Sequence, residues 1–382
     1  MTAPNGSAGA GGPQADAAQP ADAVAGADAV GAAQPADAVA GAGAVGAARP
    51  AGAVDVARPA GAVAGADAVG AVGAVGAARP AGPDRAARRA GADAASPQPG
   101  GLRVVRTARE LKGALGPSRR TVVMTMGALH EGHLDLVRAG RLRGGQLVVT
   151  IFVNPLQFGP NEDFARYPRD LGKDLAALDG LGVDLVYAPS ANEMYPAGTP
   201  QVMIEPGPLG QVFEGAIRPG HFQGVATVVF KLLARSGADA AVFGEKDAQQ
   251  LAVIRQMVRD LDLGVEIIAV PTRREPDGLA LSSRNAYLDA TARQGALALP
   301  QAIQAGQAAA AAGGPPKAIR GAARAALGRG PAPELPEYLE LVDPATFQAV
   351  PDTWSGPALL IGALRAGPAR LIDNARVVVA GR

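Results

Sequence analysis

The chain has 382 residues, with 36 Lys plus Arg against 35 Asp plus Glu, and no cysteine. Near-neutral charge leaves no electrostatic footprint for nucleic acid or an anionic membrane, so a small-molecule partner is expected, and the lack of thiols excludes disulfides, thiolate metal sites and a cysteine nucleophile. The start, Met1-Thr2-Ala3-Pro4-Asn5-Gly6, has no basic n-region, and no run approaches the ~18 apolar residues of a membrane span, so a cytoplasmic protein is expected.

Residues 1–100 contain no Leu, Ile, Phe, Tyr or Trp, and the unit at 19–33 returns at 34–48 with only Asp28 replaced, by Gly43. A stacked repeat needs large apolar side chains in every unit to build a shared core. These units bring none, and Pro and Gly interrupt any helix. A disordered, low-complexity tail is expected.

From residue 101 the composition changes. Residues 102–105 read as a short strand and 108–115 as a helix. The first strong unit is a strand at 121–126 and a helix over 131–142, joined by a Met126-Gly127 turn. Residues 146–153 are almost wholly apolar and β-branched, which suits a strand buried on both faces; it ends at Asn154-Pro155. After a loop at 156–163 come a helix at 169–181, a strand at 184–187 and a short strand at 201–204. Helical spacing covers 222–234, a strand 240–243, an amphipathic helix 249–261, and a last apolar strand 265–270 is closed by Pro271. Beyond 272, an Ala-rich helix at 290–311 leads through Gly313-Gly314-Pro315-Pro316 to a second helix at 316–327. Residues 338–342, 358–364 and 371–379 then read as antiparallel strands.

Alternating strands and helices call for an α/β fold, a doubly wound parallel sheet over 101–271, followed by a smaller α+β domain at 272–382. Ligands of such sheets bind beyond the carboxyl ends of the strands. The polar clusters at 126–133, 154–158, 244–250 and 272–285 each follow a strand.

His130-Glu131-Gly132-His133 puts two imidazoles on one face of a first helical turn, where free N–H groups and the helix dipole already favour an anion. The glycine between them lets a ligand approach the backbone. Zinc proteases need His at i and i+4 with a third ligand; the i, i+3 spacing here argues against a metal. Such a pair suits donation to phosphoryl oxygens that gain charge in a transition state. Lys246, in Phe-Gly-Glu-Lys-Asp, and Ser282-Ser283-Arg284 add donors from two other loops, and together these groups make a phosphate cradle.

Four stretches carry a resemblance: Met126-Gly127-Ala128-Leu129-His130-Glu131-Gly132-His133, Phe152-Val153-Asn154-Pro155-Leu156-Gln157-Phe158, Phe243-Gly244-Glu245-Lys246-Asp247 with Gln249-Gln250, and Leu281-Ser282-Ser283-Arg284-Asn285. In order and spacing they resemble the pantoate–β-alanine ligase family of the nucleotidyltransferase superfamily, over about residues 101–382. The resemblance implies a Rossmann-like domain at 101–271 and a C-terminal lid at 272–382. It implies a Mg²⁺-dependent homodimer that joins ATP and (R)-pantoate into pantoyl adenylate, releases pyrophosphate, and lets β-alanine displace AMP to give pantothenate.

The same resemblance implies that His130, His133, Lys246, Ser282, Ser283 and Arg284 act at the α-phosphorus, with Mg²⁺ on the phosphates. Met126, Gly127, Gly244, Asp247, Thr272 and Arg273 would complete the ATP site. Gln157 and Gln250 would bind pantoate through their amides, with Asn154 beside them and Met126 against the dimethyl group. Glu214 and Arg218, in Phe-Glu-Gly-Ala-Ile-Arg-Pro-Gly-His-Phe, resemble the family's active-site flap. A different transferase of the superfamily would share His130 and His133 but not the paired glutamines. The chain departs from the family at Met124, where Pro is usual, so a less rigid strand end is expected. Asp135, on the following helix, is expected at the surface.

Overall fold

The central valines sort by alternation. Val122 and Val148 enter one core with Leu232, Leu251 and Ile254, whereas Val123 and Val149 enter another with Leu134, Val137 and Leu178. Strands with period two and both faces covered require this division. The computed structural model describes residues 102–160, 162–328 and 336–381. The tail expected over 1–100 lies outside the described residues.

Six strands form the larger sheet: β1 (Arg103–Val105), β2 (Arg120–Thr125), β3 (Gln146–Ile151), β4 (Leu185–Tyr187), β5 (Ala240–Gly244) and β6 (Glu266–Val270). Every pairing is parallel and the spatial order is β1-β4-β3-β2-β5-β6. Its crossovers carry α1 (Ala108–Ala114), α2 (Glu131–Arg141), α3 (Leu171–Leu178), α4 (Ala191–Met194), α5 (Glu214–Ile217), α6 (His221–Ser236) and α7 (Ala248–Asp260). Three more helices, α8 (Ala290–Ala296), α9 (Ala298–Ala311) and α10 (Pro316–Leu327), precede an antiparallel sheet of β7 (Tyr338–Val342), β8 (Gly356–Ala366) and β9 (Ala369–Val379).

The second sheet also alternates. Leu360 faces a core with Leu299, Ile303 and Ile319, while Leu359 and Ile361 join the core of the first sheet. Each fully buried aliphatic side chain of this kind contributes roughly 1.5–3 kcal/mol. The α/β class and the smaller antiparallel unit are therefore as expected. No helix among the described residues is long and apolar enough to cross a membrane.

Three local expectations fail. Residues 201–204 form no strand: Pro200 and Pro206 flank them, Val202 is 87% exposed, and the Ile204 N–H donates to Thr227 Oγ1 at 3.0 Å rather than to a ladder. The long Ala-rich helix is two helices, because Pro300 lacks the N–H and its ring would clash with the carbonyl of Ala296 in a continuous helix. α3 starts at Leu171, later than expected, because Asp170 caps it by accepting from the Lys173 N–H at 3.0 Å.

Candidate active site

The strand order reverses between β2 and β5, and the crevice beyond their carboxyl ends is where a parallel sheet of this kind accepts a ligand. α2 begins just after β2 and α7 just after β5, so two helix N-termini bring partial positive charge to the same place. The β2–α2 turn needs left-handed backbone at Gly127 (φ 79°) and Ala128 (φ 51°). Asp174 of α3, buried, accepts from the Ala128 N–H at 3.2 Å and the Leu129 N–H at 2.8 Å. A Cβ on Gly127 would lie 2.7 Å from Asp174 Oδ2, so Gly127 serves the turn. Met124 pairs with Thr150 in the ladder, and the turn is further held by Thr125 Oγ1, which accepts from the Gly127 N–H at 3.2 Å. Strand pairing holds Met124 in the ladder, and Asp174 holds the turn that follows it.

That turn delivers His130 to the N-cap of α2, and its ring stacks on His133 with centroids 4.0 Å apart. Gly132 lines the crevice and also makes room for the ring, since a Cβ there would sit 3.1 Å from His130 Cε1. Burial, then the neighbouring His130, pushes the His133 pKa down to about 3, and burial with Lys246 lowers that of His130. Both rings are neutral near pH 7. The His130 N–H donates to His133 Nδ1 at 3.4 Å, which puts the His133 proton on Nε2. His130 Nδ1 is buried without a partner.

Lys246 lies in the turn between β5 and α7, its Nζ 3.7 Å from Asp247. Asn374 of β9 holds that turn by donating to the carbonyls of Glu245 (3.0 Å) and Lys246 (2.9 Å). Asp247 is half-exposed; the packing around it opposes its charge, but Lys246 and Arg284 more than reverse this and keep its carboxyl below the usual range. Ser282 accepts from the Arg284 N–H at 3.3 Å, Ser283 and the buried Tyr167 line the same cavity, and Arg284 pairs with Asp163 at 3.2 Å. Arg273 is held by Asp135 at 2.9 Å, so this surface residue also anchors a cleft arginine.

On the opposite wall Asn154 is fully engaged. It donates to Gln157 Oε1 (3.1 Å) and Gly224 O (3.2 Å), and accepts from the Tyr195 hydroxyl (2.8 Å). Gln157 keeps its amide Nε2 on the weak acceptor Met126 Sδ at 3.1 Å, which a better acceptor would displace. His221 Nδ1 donates to Gln157 O at 2.8 Å, and its Nε2 accepts from Arg218 at 3.0 Å. The flap residues do not pair with each other. Arg218 binds Glu162, whereas Glu214 is buried against Arg370 and Tyr338 of the second sheet.

Every residue assigned above to nucleotide, phosphate or pantoate, except Gly127, lines one cavity of about 240 Å³. A neighbouring cavity of about 570 Å³ lies against the flap and the second sheet, and shares Arg218, His221, Lys246 and Arg284 as a wall. Nothing local in the sequence marks Asp174, Asn374 or Asp163, or a role for His221. Each acts through a partner far along the chain.

Fold and crevice together define a class: an α/β protein that gathers neutral imidazoles, a lysine and a Ser-Ser-Arg turn at its sheet's switch point. Residues 103–376 match the model of the Pantoate-beta-alanine ligase family, and the chain belongs to that family. It is 55% identical over 276 residues to the pantothenate synthetase of Acidothermus cellulolyticus, covering 71% of this chain and 90% of the relative. With that of Streptomyces avermitilis the identity is 48% over 320 residues, covering 71% and 96%. The crystal structure of pantothenate synthetase from Thermus thermophilus superposes with a TM-score of 0.69 at 49% identity, covering 72% of this chain and 99% of that one. A Francisella tularensis pantoate-beta-alanine ligase, complexed with beta-gamma ATP and beta-alanine, gives 0.58 at 31% identity, covering 72% and 97%.

Proposed function

We infer that the protein condenses (R)-pantoate with β-alanine at the expense of ATP, through pantoyl adenylate, releasing pyrophosphate and AMP and forming pantothenate. The observation that carries this reading is the convergence, in a chain of this family, of His130, His133, Lys246 and Arg284 with Gln157 and Gln250 on one cavity.

The chemistry sets the demands. A carboxylate must reach the α-phosphorus of a polyanion, so the site must neutralise charge and hold the two reactants in line. Lys246 and Arg284 supply full positive charge. His133 donates through Nε2 as a neutral ring, and the N-termini of α2 and α7 add their dipoles. Gln157, with its amide already oriented by Asn154, offers an N–H to pantoate, and Gln250 lines the same cavity. Pantoate's carboxylate oxygen bonds to the α-phosphorus and pyrophosphate leaves. The amine of β-alanine then attacks the acyl carbon, loses a proton, and AMP departs.

Asp247 and the hydroxyls of Ser282 and Ser283 are hard oxygen donors on the phosphate side, which fits Mg²⁺. Among the described residues no cluster of three His, Asp or Glu converges on a point, so the ion would arrive on the nucleotide, where it would offset phosphate charge. A homodimer, a cytoplasmic location, and a division at residue 271 into a nucleotide-binding domain and a lid belong to the same reading. The loop from Pro271 to Arg284, which joins the two sheets, supports that division. The deciding assay follows AMP release and pyrophosphate exchange with ATP, pantoate and β-alanine omitted in turn. Exchange should require pantoate, and AMP release all three; exchange without pantoate would defeat the assignment.

A further inference from the structure

Two consecutive acids, Glu162 and Asp163, each hold an arginine of the cleft. Glu162 takes Arg218 of the flap through Nε (2.6 Å) and Nη2 (2.7 Å), and Asp163 takes Arg284 of the Ser-Ser-Arg turn at 3.2 Å. The two arginines line both cavities, whereas the two acids line only the larger one. The two arginines therefore stand where the cavities meet, each paired with an acid on the side of the larger one. Asp163 raises the pKa of Arg284 against the burial that lowers it, so the pair is formed and partly desolvated.

We propose that Glu162 and Asp163 form an acidic clip, and that Asp163 occupies Arg284 until a nucleotide's phosphates displace it. The inference rests on the adenylate-forming reading above. A nucleotide's phosphates offer the planar guanidinium paired oxygens and more negative charge than one carboxylate, so they win it when they arrive. The exchange has a consequence for the other substrate. The clip sits on the segment that starts at Gln157, and Arg218 and His221 both bond to the Gln157 carbonyl, at 3.4 Å and 2.8 Å. Releasing Asp163 loosens one end of the wall that carries the pantoate amide, so nucleotide occupancy and the pantoate wall are mechanically joined. Asp163 is a positioning residue, acting on substrate only through Arg284.

The competing view is that Asp163 orients Arg284 for catalysis, and the two views differ in sign. Calorimetric titration of the full chain with α,β-methylene-ATP is the test. Removing the competitor by Asp163→Asn should tighten the Kd by about 2- to 5-fold, the size of a partly exposed ion pair. That gain should vanish when Asp163→Asn is introduced into Arg284→Ala, because the clip acts only on that guanidinium. A Kd that is unchanged or weaker in Asp163→Asn overturns the clip. So does a gain that persists without Arg284, since it would then reflect only the loss of one negative charge near a polyanion. Circular dichroism and unfolding midpoints of both variants confirm that folded protein is compared. A wild-type chain that fails to bind the analogue at all would instead remove the nucleotide reading itself.

Discussion

Arg370→Met tests how the two sheets are held together. Arg370 reaches from β9 to Glu214 of the flap with two hydrogen bonds, 2.5 and 2.7 Å, and binds Glu337 through Nε at 2.5 Å. Glu214 also accepts from the Tyr338 hydroxyl at 2.6 Å. The side chains are 15% and 8% exposed, so solvent screens the pair little. Burial pushes the Glu214 carboxyl up, and Arg370 together with Tyr338 more than reverses that, holding it below the usual range. Methionine matches the arginine stem but strands Glu214 with a single neutral donor. Loss of one partner of a buried pair costs about 3–5 kcal/mol, and that range is expected here near pH 7. The stranded carboxyl can escape by protonation, which raises its folded pKa above the unfolded one. Folded protein then binds more protons than unfolded, so the variant loses stability as pH rises through that window and recovers it toward pH 5. Urea unfolding at both pH values measures this. Glu214→Gln in the same chain should restore at least half of the loss, because an amide costs less to bury unpaired than a charge. A loss below about 1 kcal/mol, the size of an exposed pair, or strict additivity in the double variant, would refute the argument.

His130→Ala and Lys246→Ala should each slow pantoate-dependent pyrophosphate exchange by at least about 10²-fold, the usual effect of one preorganised donor; near-normal exchange in either would contradict its role. The buried His221 and the partly buried His133, with pKa values pushed down to about 4 and about 3 by desolvation first, should make stability fall with acidity. Their unfolded pKa lies near 6.5, so the unfolded chain binds more protons below it, and stability drops as pH falls from about 6.5 toward those folded values. For His221 alone the drop is on the order of 3 kcal/mol by pH 4, and the urea midpoint of His221→Gln should vary less with pH than that of the wild type; equal slopes would rule this out. Deleting residues 1–100 should leave turnover unchanged in the AMP-release assay, since the family match begins at residue 103; a marked loss would give the tail a catalytic part.

The reading from sequence succeeded where a signal is local. A buried strand, a turn and a helix N-terminus occupy one short stretch, so His130 and His133 could be placed from neighbours alone, and likewise Lys246 between β5 and α7. Apolar period two fixed the strands of both sheets, except at 201–204, where β-prone residues found no neighbour to pair with. What could not be read is how those groups are held. Asp174 meets Leu129 from 45 residues away, Asp163 meets Arg284 from 121, and Arg370 meets Glu214 from 156. An acid in a helix or a loop looks solvated until the fold supplies its partner, as Asp135 does until Arg273 meets it.

This separation follows from the architecture. A parallel sheet delivers the chemistry at its strand ends, each strand end carrying its own short motif, so one body can be recognised piece by piece. Restraint has to come from outside the strand it restrains: α3 fixes the β2–α2 turn, β9 fixes the Lys246 turn through Asn374, and the segment after Gln157 holds both arginines. The last two restraints cross between segments that a nucleotide would touch on both sides. A polyphosphate that takes Arg284 from Asp163 and rests against the Lys246 turn would loosen the first contact while loading the second. On the clip proposed above, nucleotide binding rearranges the wall that pantoate meets, while Asp174, which neither cavity includes among its lining residues, holds the turn that carries His130 and His133.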